Sequence, residues 1–78
     1  MLPDSLVALA ELDKGRGVSL TRIAKRLGLT VSVLMREYTA LSDAKLGGVA
    51  GPGWVRLECD EGGRWIAHLT ALGRAQCP

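Results

Sequence analysis

Two runs of apolar residues in the middle of the chain recur at intervals of three and four positions, so each run occupies one face of a helix. The first run consists of Leu20, Ile23, Ala24 and Leu27. The second consists of Val31, Leu34, Tyr38 and Leu41. Ser19 can cap the first helix, Thr30 or Ser32 can cap the second, and Gly28 allows the left-handed turn that ends a helix. The pattern predicts two helices joined by a tight turn, over about 19–27 and 31–45.

The chain before this pair predicts one more helix, over about 3–14. Pro3 and Asp4 suit a helix N-terminus. One side of this helix then carries Leu6, Leu9, Ala10 and Asp13. The following Lys-Gly-Arg-Gly segment predicts a turn, and Val18 can begin a very short strand.

Residues 54–69 alternate between apolar and polar positions, which predicts a β-hairpin with arms over 54–59 and 64–69. Val55, Leu57 and Cys59 form one apolar set. Trp65, Ala67 and Leu69 form the other. Both sets reach the same side only if the loop has an odd number of residues, three or five, with Gly62 or Gly63 in the left-handed conformation. The opposite face carries Trp54, Arg56, Glu58, Arg64, Ile66 and His68.

The remaining segments are short connections. Residues 47–53 are rich in Gly and Pro and predict an irregular surface loop, and Thr70 can cap a last helix over about 71–76. With 78 residues the chain is long enough for one small domain, 1–78. The predicted fold class is α+β: three helices, a two-stranded hairpin and a short C-terminal helix, in the order of a winged helix-turn-helix.

Basic residues concentrate in the central segment. Between residues 14 and 36 there are six and no acidic residue, whereas the rest of the chain has four basic and eight acidic residues. The net charge of +2 therefore combines a local +6 with a background of −4. Such a concentrated positive field is typical of proteins that bind a polyanion, although a solvated helix face would carry the same charges.

The sequence argues against several other classes of protein, namely membrane proteins, metal-binding proteins and enzymes. No apolar run approaches the ~18 residues of a membrane span, and the first residues lack a basic leader, so we expect a cytoplasmic protein without membrane association. Cys59, Cys77 and His68 lack the close spacings of zinc ligands, so neither a metal nor another cofactor is expected. No phosphate-binding loop and no nucleophile motif occurs near His68, so we expect no enzyme activity.

Two segments resemble the MarR family of transcriptional regulators. Residues 19–41 resemble the paired helices of that family, and residues 53–74 resemble its wing, including the Leu-Thr-x-x-Gly-Arg signature, here Leu-Thr-Ala-Leu-Gly-Arg at 69–74. The resemblance covers about residues 6–74 and implies the winged fold and its DNA-facing surface. The flanking helices that form the family's dimer interface and ligand pocket have no counterpart in this sequence, and residues 46–52 are additional. The resemblance therefore implies neither ligand sensing nor the family's mode of dimerisation.

The geometry of such motifs places the first half of the third helix in the major groove. The residues expected to face bases are Thr30, Ser32, Met35, Arg36 and Thr39. Arg36 carries the planar fork that pairs with guanine, and Met35 or Val33 can contact a thymine methyl, with core packing as the alternative for Val33. The residues expected to contact phosphates are Thr21, Arg22, Lys25 and Arg26. Arg64 resembles a wing arginine that enters the minor groove, although Asp60 and Glu61 beside it would repel phosphate.

The two tryptophans are expected to differ in exposure. Trp65 belongs to the apolar face of the hairpin, which predicts a core residue. Trp54 falls on the opposite face, so it is either an exposed dimer contact or covered by the neighbouring loop. The sequence thus predicts a sequence-specific binder of double-stranded DNA, a transcriptional regulator acting as a homodimer, with no small-molecule ligand implied. The alternative is a winged-helix module that binds protein.

Overall fold

The computed structural model describes residues 2–77 and has the predicted α+β composition. In these residues the helices are α1 (Asp4–Leu12), α2 (Leu20–Leu27), α3 (Val31–Leu41) and α4 (Ala71–Gln76). The strands are β1 (Val18–Ser19), β2 (Lys45–Leu46), β3 (Val49–Ala50), β4 (Val55–Cys59) and β5 (Trp65–Leu69).

Side-chain caps fix where three of the helices begin. The hydroxyls of Ser19, Thr30 and Thr70 each accept a hydrogen bond from a backbone N–H three residues later, at 3.3, 3.2 and 3.0 Å. Gly28 ends α2 with a φ of +68°, a conformation that costs glycine little. The structure has the two predicted helices joined by a tight turn, with Thr30 rather than Ser32 as the cap of α3.

The hairpin has the register that its alternation predicts. Val55 pairs with Leu69 and Cys59 pairs with Trp65, which leaves the five-residue loop 60–64. Gly63 takes the left-handed conformation in this loop, with a φ of +80°. The sheet is larger than the predicted two strands, because β1 pairs with β5 and gives the antiparallel order β1-β5-β4.

Two predicted boundaries are wrong near the end of α3. The helix stops at Leu41 rather than near residue 45, because the Ser42 hydroxyl donates to the Thr39 carbonyl and accepts from the Ala44 N–H, which turns the chain away. The next segment is not wholly irregular, since β2 and β3 form a two-residue antiparallel pair around Gly47 and Gly48, both at positive φ. Similarly, α1 ends at Leu12, two residues earlier than predicted.

The core lies between the helices and the base of the hairpin. The most completely buried apolar side chains are Leu6, Leu9, Leu20, Ile23, Leu34, Tyr38, Val55 and Ala67. The Tyr38 hydroxyl donates to the Ser5 carbonyl at 2.8 Å and so joins α3 to the start of α1. Burial, with the nearby Glu37 carboxylate, raises the pKa of Tyr38, so this phenol stays a donor.

One buried carboxylate joins three parts of the chain. Asp13, only 4% exposed, accepts N–H groups from Gly15 and Gly17 at 2.8 and 2.9 Å, and from Leu69 at 2.9 Å. Burial by itself would raise the pKa of Asp13, but these N–H donors and the nearby His68 together lower it below its ordinary value. Asp13 therefore holds the turn after α1 against the end of β5 in its ionised form.

We expect Asp13→Asn to lower the free energy of unfolding by about 1–3 kcal/mol at pH 7, because an amide cannot accept all three N–H groups. The lowered pKa means that the ionised carboxylate stabilises the fold above the unfolded-state pKa of about 3.9 and loses this effect as the pH falls through its lower native value. Urea denaturation between pH 7 and pH 2 measures both effects. The exposed Asp4→Asn is the control, and equal midpoints for the two variants at pH 7 would contradict the assignment.

The glycine of the Leu-Thr-x-x-Gly-Arg segment has a steric role. A Cβ on Gly73 would lie 2.1 Å from the Trp54 carbonyl oxygen, whereas a Cβ on Gly62 would approach only the Asp60 carboxylate, at 3.5 Å. We expect Gly73→Ala to cost about 1–3 kcal/mol, because backbone must move to admit the methyl group. Thermal unfolding measures the loss, and Gly62→Ala serves as the matched control. A Gly73→Ala melting temperature equal to that of the control would show that α4 is not packed in this way.

Candidate functional site

The outer surface of α3 carries three of the predicted site residues. Thr30, Ser32 and Arg36 are exposed, while Leu34 and Tyr38 on the same helix are fully buried. This division arises because Leu34 and Tyr38 are separated by one helical turn and both point into the core. The helix therefore presents hydroxyl groups and one guanidinium to the solvent, together with Val31 and Val33, which are 38% and 42% exposed.

The other two residues predicted to face outward on α3 lie differently. Met35 is half-buried and packs against the core, and the half-buried Thr39 donates its hydroxyl to the Met35 carbonyl at 2.7 Å. Both residues line a groove between α3 and the hairpin. Met35 and Thr39 were expected to be exposed, but each is only partly so. The reason is that α3 contacts the sheet on one side in addition to the helices, so less of its surface is free than the leucine pattern implies.

The exposed surface of α2 is basic. Thr21, Arg22, Lys25 and Arg26 are all exposed. The Arg26 guanidinium forms an ion pair with the Glu11 carboxylate of α1, and both side chains are about half exposed. Arg26 therefore differs from Arg22 and Lys25, because a carboxylate already offsets part of its charge.

The tip of the hairpin is held by Asp60. Its carboxylate accepts N–H groups from Gly62 and Arg64 at 2.9 Å each, and it lies 3.4 Å from the Arg64 guanidinium. The hydrogen bond from the Arg64 N–H, assisted by the charge of that residue, lowers the pKa of Asp60. Arg64 itself is 78% exposed, so its guanidinium remains open to solvent at the tip of the hairpin.

The outer face of the hairpin carries a second group of charges. The Glu58 carboxylate lies 3.1 Å from the His68 ring nitrogen and 3.5 Å from the Arg56 guanidinium. The hydrogen bond with His68 and the charge of Arg56 lower the pKa of Glu58. This face is therefore close to neutral overall and adds little to the positive charge of α2.

A groove of about 400 Å³ separates α3 from the inner face of the hairpin. Its lining is mostly apolar and includes Met35, Thr39, Asp43, Val55, Arg56, Leu57 and Trp65. Trp54 N–H donates to the Leu41 carbonyl, which fixes the base of the hairpin at the end of α3. Trp65 lines the same groove nearer the hairpin tip, beside the loop 60–64.

The prediction that Trp65 is a core residue is wrong, whereas Trp54 is nearer to the covered of its two expected positions. Trp65 is 43% exposed, because its partner Cys59 ends β4 and the helices cover only the base of the sheet. Trp54 is half-buried and packs against the core. It precedes β4, and Gly53 before it has a φ of +71°, so the alternation of the strand does not extend to it.

Trp65 is the residue that sequence reasoning placed least well. The available signal was its position beside the loop, since residues next to a hairpin turn lie farthest from the helices that follow or precede it.

Within residues 2–77 no group of three or more His, Cys, Asp or Glu side chains is arranged to hold a metal. No helix of the same range has the length and hydrophobicity needed to span a bilayer.

Comparisons with known proteins point to one relative of known structure. No protein-family model matches the chain, and neither does any curated protein. The chain is similar to a protein from Ralstonia eutropha JMP134 whose crystal structure, at 1.70 Å resolution, is named that of a "putative DNA-binding protein". The two are 35% identical with a TM-score of 0.71, and the match covers 92% of this chain and 83% of the other. At this identity and coverage the chain belongs to the same family as the Ralstonia eutropha protein.

Proposed function

We propose that this protein is a single winged helix-turn-helix domain that binds double-stranded DNA. In this proposal α3 enters the major groove and the β4–β5 hairpin is the wing. The observation that carries the proposal is the division of α3, which buries Leu34 and Tyr38 and leaves Thr30, Ser32 and Arg36 exposed beside the basic surface of α2. The name of the Ralstonia eutropha relative supports the same class of partner.

The proposed contacts fall into two kinds. Arg36 pairs with a guanine in the major groove, and Ser32 and Thr30 donate to bases or phosphates nearby. Arg22 and Lys25 neutralise phosphates and set the position of the protein on the duplex without reading sequence. Arg26 joins them by exchanging its exposed Glu11 partner for a phosphate, an exchange that costs little because exposed ion pairs contribute only about 0–1 kcal/mol.

The proposed oligomeric state is argued from the size of such an interface. A single helix in one groove buries about 600–1,000 Å² of protein surface, which is small for tight and specific binding. We therefore propose a homodimer that binds two half-sites and acts as a MarR-like transcriptional regulator in the cytoplasm. Trp54, half-buried at the base of the hairpin, is the candidate contact of this proposed dimer.

A second function is favoured by a different surface. Leu46 and Val49 are 54% and 72% exposed on the β2–β3 hairpin, and they pair with each other across it. Exposed apolar side chains on a protruding hairpin are typical of a protein contact. The alternative is therefore a module that binds another protein through this hairpin and leaves α3 free.

We expect the affinity for random duplex DNA to fall steeply with salt, because three to four neutralised phosphates give a slope of about −3 in log K against log salt. Lys25→Ala should reduce the magnitude of the slope by about 1, because one phosphate contact is lost. Fluorescence anisotropy of a labelled duplex between 50 and 200 mM salt measures the slope. Arg74→Ala, an exposed charge on α4, is the control. A flat salt response of the wild type would favour the protein-binding alternative.

We expect Arg36→Ala to weaken binding to a site selected from a random pool by about 5- to 150-fold, the equivalent of about 1–3 kcal/mol for a bidentate guanine contact. Binding to random DNA should fall much less, because Arg36 reads a base. Titration of the selected and the random duplex with the wild type and with Arg36→Ala gives the loss of affinity on each duplex. Equal losses on the two duplexes would assign Arg36 to a phosphate instead.

A further inference from the structure

The exposed tryptophan at the wing tip has no packing role that explains it. Core residues Val55 and Ala67 at the base of the hairpin are 2% and 0% exposed, whereas Trp65 remains 43% exposed. An indole is large and rigid, with one apolar body and one N–H donor, and such residues are typical of contact surfaces. The position of Trp65 therefore indicates a partner that covers it.

The direction of the Trp65 side chain limits where that partner lies. By register, Trp65 shares a sheet face with Leu57 and Leu69, the face that packs towards the helices. Trp65 also lines the groove opposite Met35 and Thr39 of α3. The indole is thus situated between the exposed surface of α3 and the hairpin tip at Arg64.

We propose that Trp65 packs against the sugar–phosphate backbone of the DNA strand that runs between α3 and the wing. This inference rests on the proposed function, which assigns α3 to a major groove and Arg64 to the adjacent minor groove. Those two grooves are separated by one backbone strand, so that strand passes over the groove between α3 and the hairpin. Trp65 lies at the end of that groove nearest the hairpin tip.

The chemistry of the site suits such a strand. The indole face packs on the apolar surface of a deoxyribose, and its N–H is a donor for a phosphate oxygen. Arg64 directly precedes Trp65, and its guanidinium lies 3.4 Å from the Asp60 carboxylate in an exposed ion pair. Such a pair is weak, so a phosphate can replace the carboxylate as the partner of Arg64.

The acidic groups around the groove favour a contact near the hairpin tip. Asp43 lines the groove near the end of α3, the opposite end from Trp65. Glu58 and Asp60 are engaged by His68 and by the turn, and both remain on the wing. A strand lying over Trp65 and Arg64 avoids Asp43, whereas one lying deep in the groove would meet it.

The two tryptophans allow a direct test with one reporter at a time. Trp54→Phe leaves Trp65 as the emitting residue, and Trp65→Phe leaves Trp54. We expect a duplex added at 50 mM salt to quench and shift the emission of the Trp54→Phe variant, with reversal at high salt. The emission of Trp65→Phe should not change, although anisotropy of a labelled duplex still reports binding by that variant.

Affinity gives a second, independent readout. We expect Trp65→Ala to weaken binding by about 5- to 10-fold on both selected and random duplexes, because a backbone contact reads no sequence, and Trp65→Phe to retain most of the affinity. Circular dichroism of Trp65→Ala at the assay temperature verifies that the variant is folded. A loss confined to the selected duplex would overturn the backbone contact.

The outcomes separate this inference from the proposed function. If the labelled duplex binds the wild type while Trp65 emission stays constant, the inference is wrong and DNA binding stands. If the wild type binds no duplex at low salt, both are wrong. If Trp65 emission depends on protein concentration without DNA, the residue contacts a second copy of the chain, which also overturns the inference.

Discussion

The orientation of α3 depends on the burial of Leu34 and Tyr38 between α1 and the sheet. Both side chains are fully buried, and the Tyr38 hydroxyl donates to the Ser5 carbonyl at the start of α1. A buried phenol without an acceptor would be costly, so this bond fixes the rotation of α3 as well as its depth. Every statement about which residues of α3 face outward follows from that rotation.

In this orientation the two sides of α3 contact different elements. One side meets α1 and α2, and the other meets the inner face of the β4–β5 hairpin, where Met35 and Thr39 line the groove. The strand β1 contributes to this arrangement by pairing with β5. Asp13 joins β5 to the turn after α1, because it accepts a hydrogen bond from the Leu69 N–H. The hairpin is thus held beside α3 by hydrogen bonds at its base while its tip extends beyond the helices.

The local features of this fold were predictable from the sequence, because each depends on neighbouring residues. Helix caps at Ser19, Thr30 and Thr70, the turn at Gly28 and the odd loop of the hairpin all follow from short-range chemistry. The stop of α3 at Leu41 was not predictable in the same way, because the bonds of Ser42 compete with a continuing helix. The pairing of β1 with β5 is a long-range contact that no local pattern encodes.

The residues of the candidate site likewise fall into those that a local pattern predicts and those that depend on distant parts of the chain. Periodicity separates Arg36 and Ser32 from Leu34, and the structure has this separation. Periodicity cannot tell how far a neighbouring element covers a face, so Met35 and Thr39 were placed outside and Trp65 inside. The Glu11–Arg26 ion pair was also hidden, since it joins side chains fifteen positions apart on different helices.

Amide chemical-shift mapping during titration with a duplex tests the central claim most directly, because it locates the contact surface without changing a residue. The account predicts that the largest shifts come from residues 30–36 and from the tip of the hairpin, 62–65, with smaller ones along α2. Shifts concentrated on β2 and β3, or an unchanged spectrum at low salt with excess duplex, would contradict the assignment of the α3 surface to DNA.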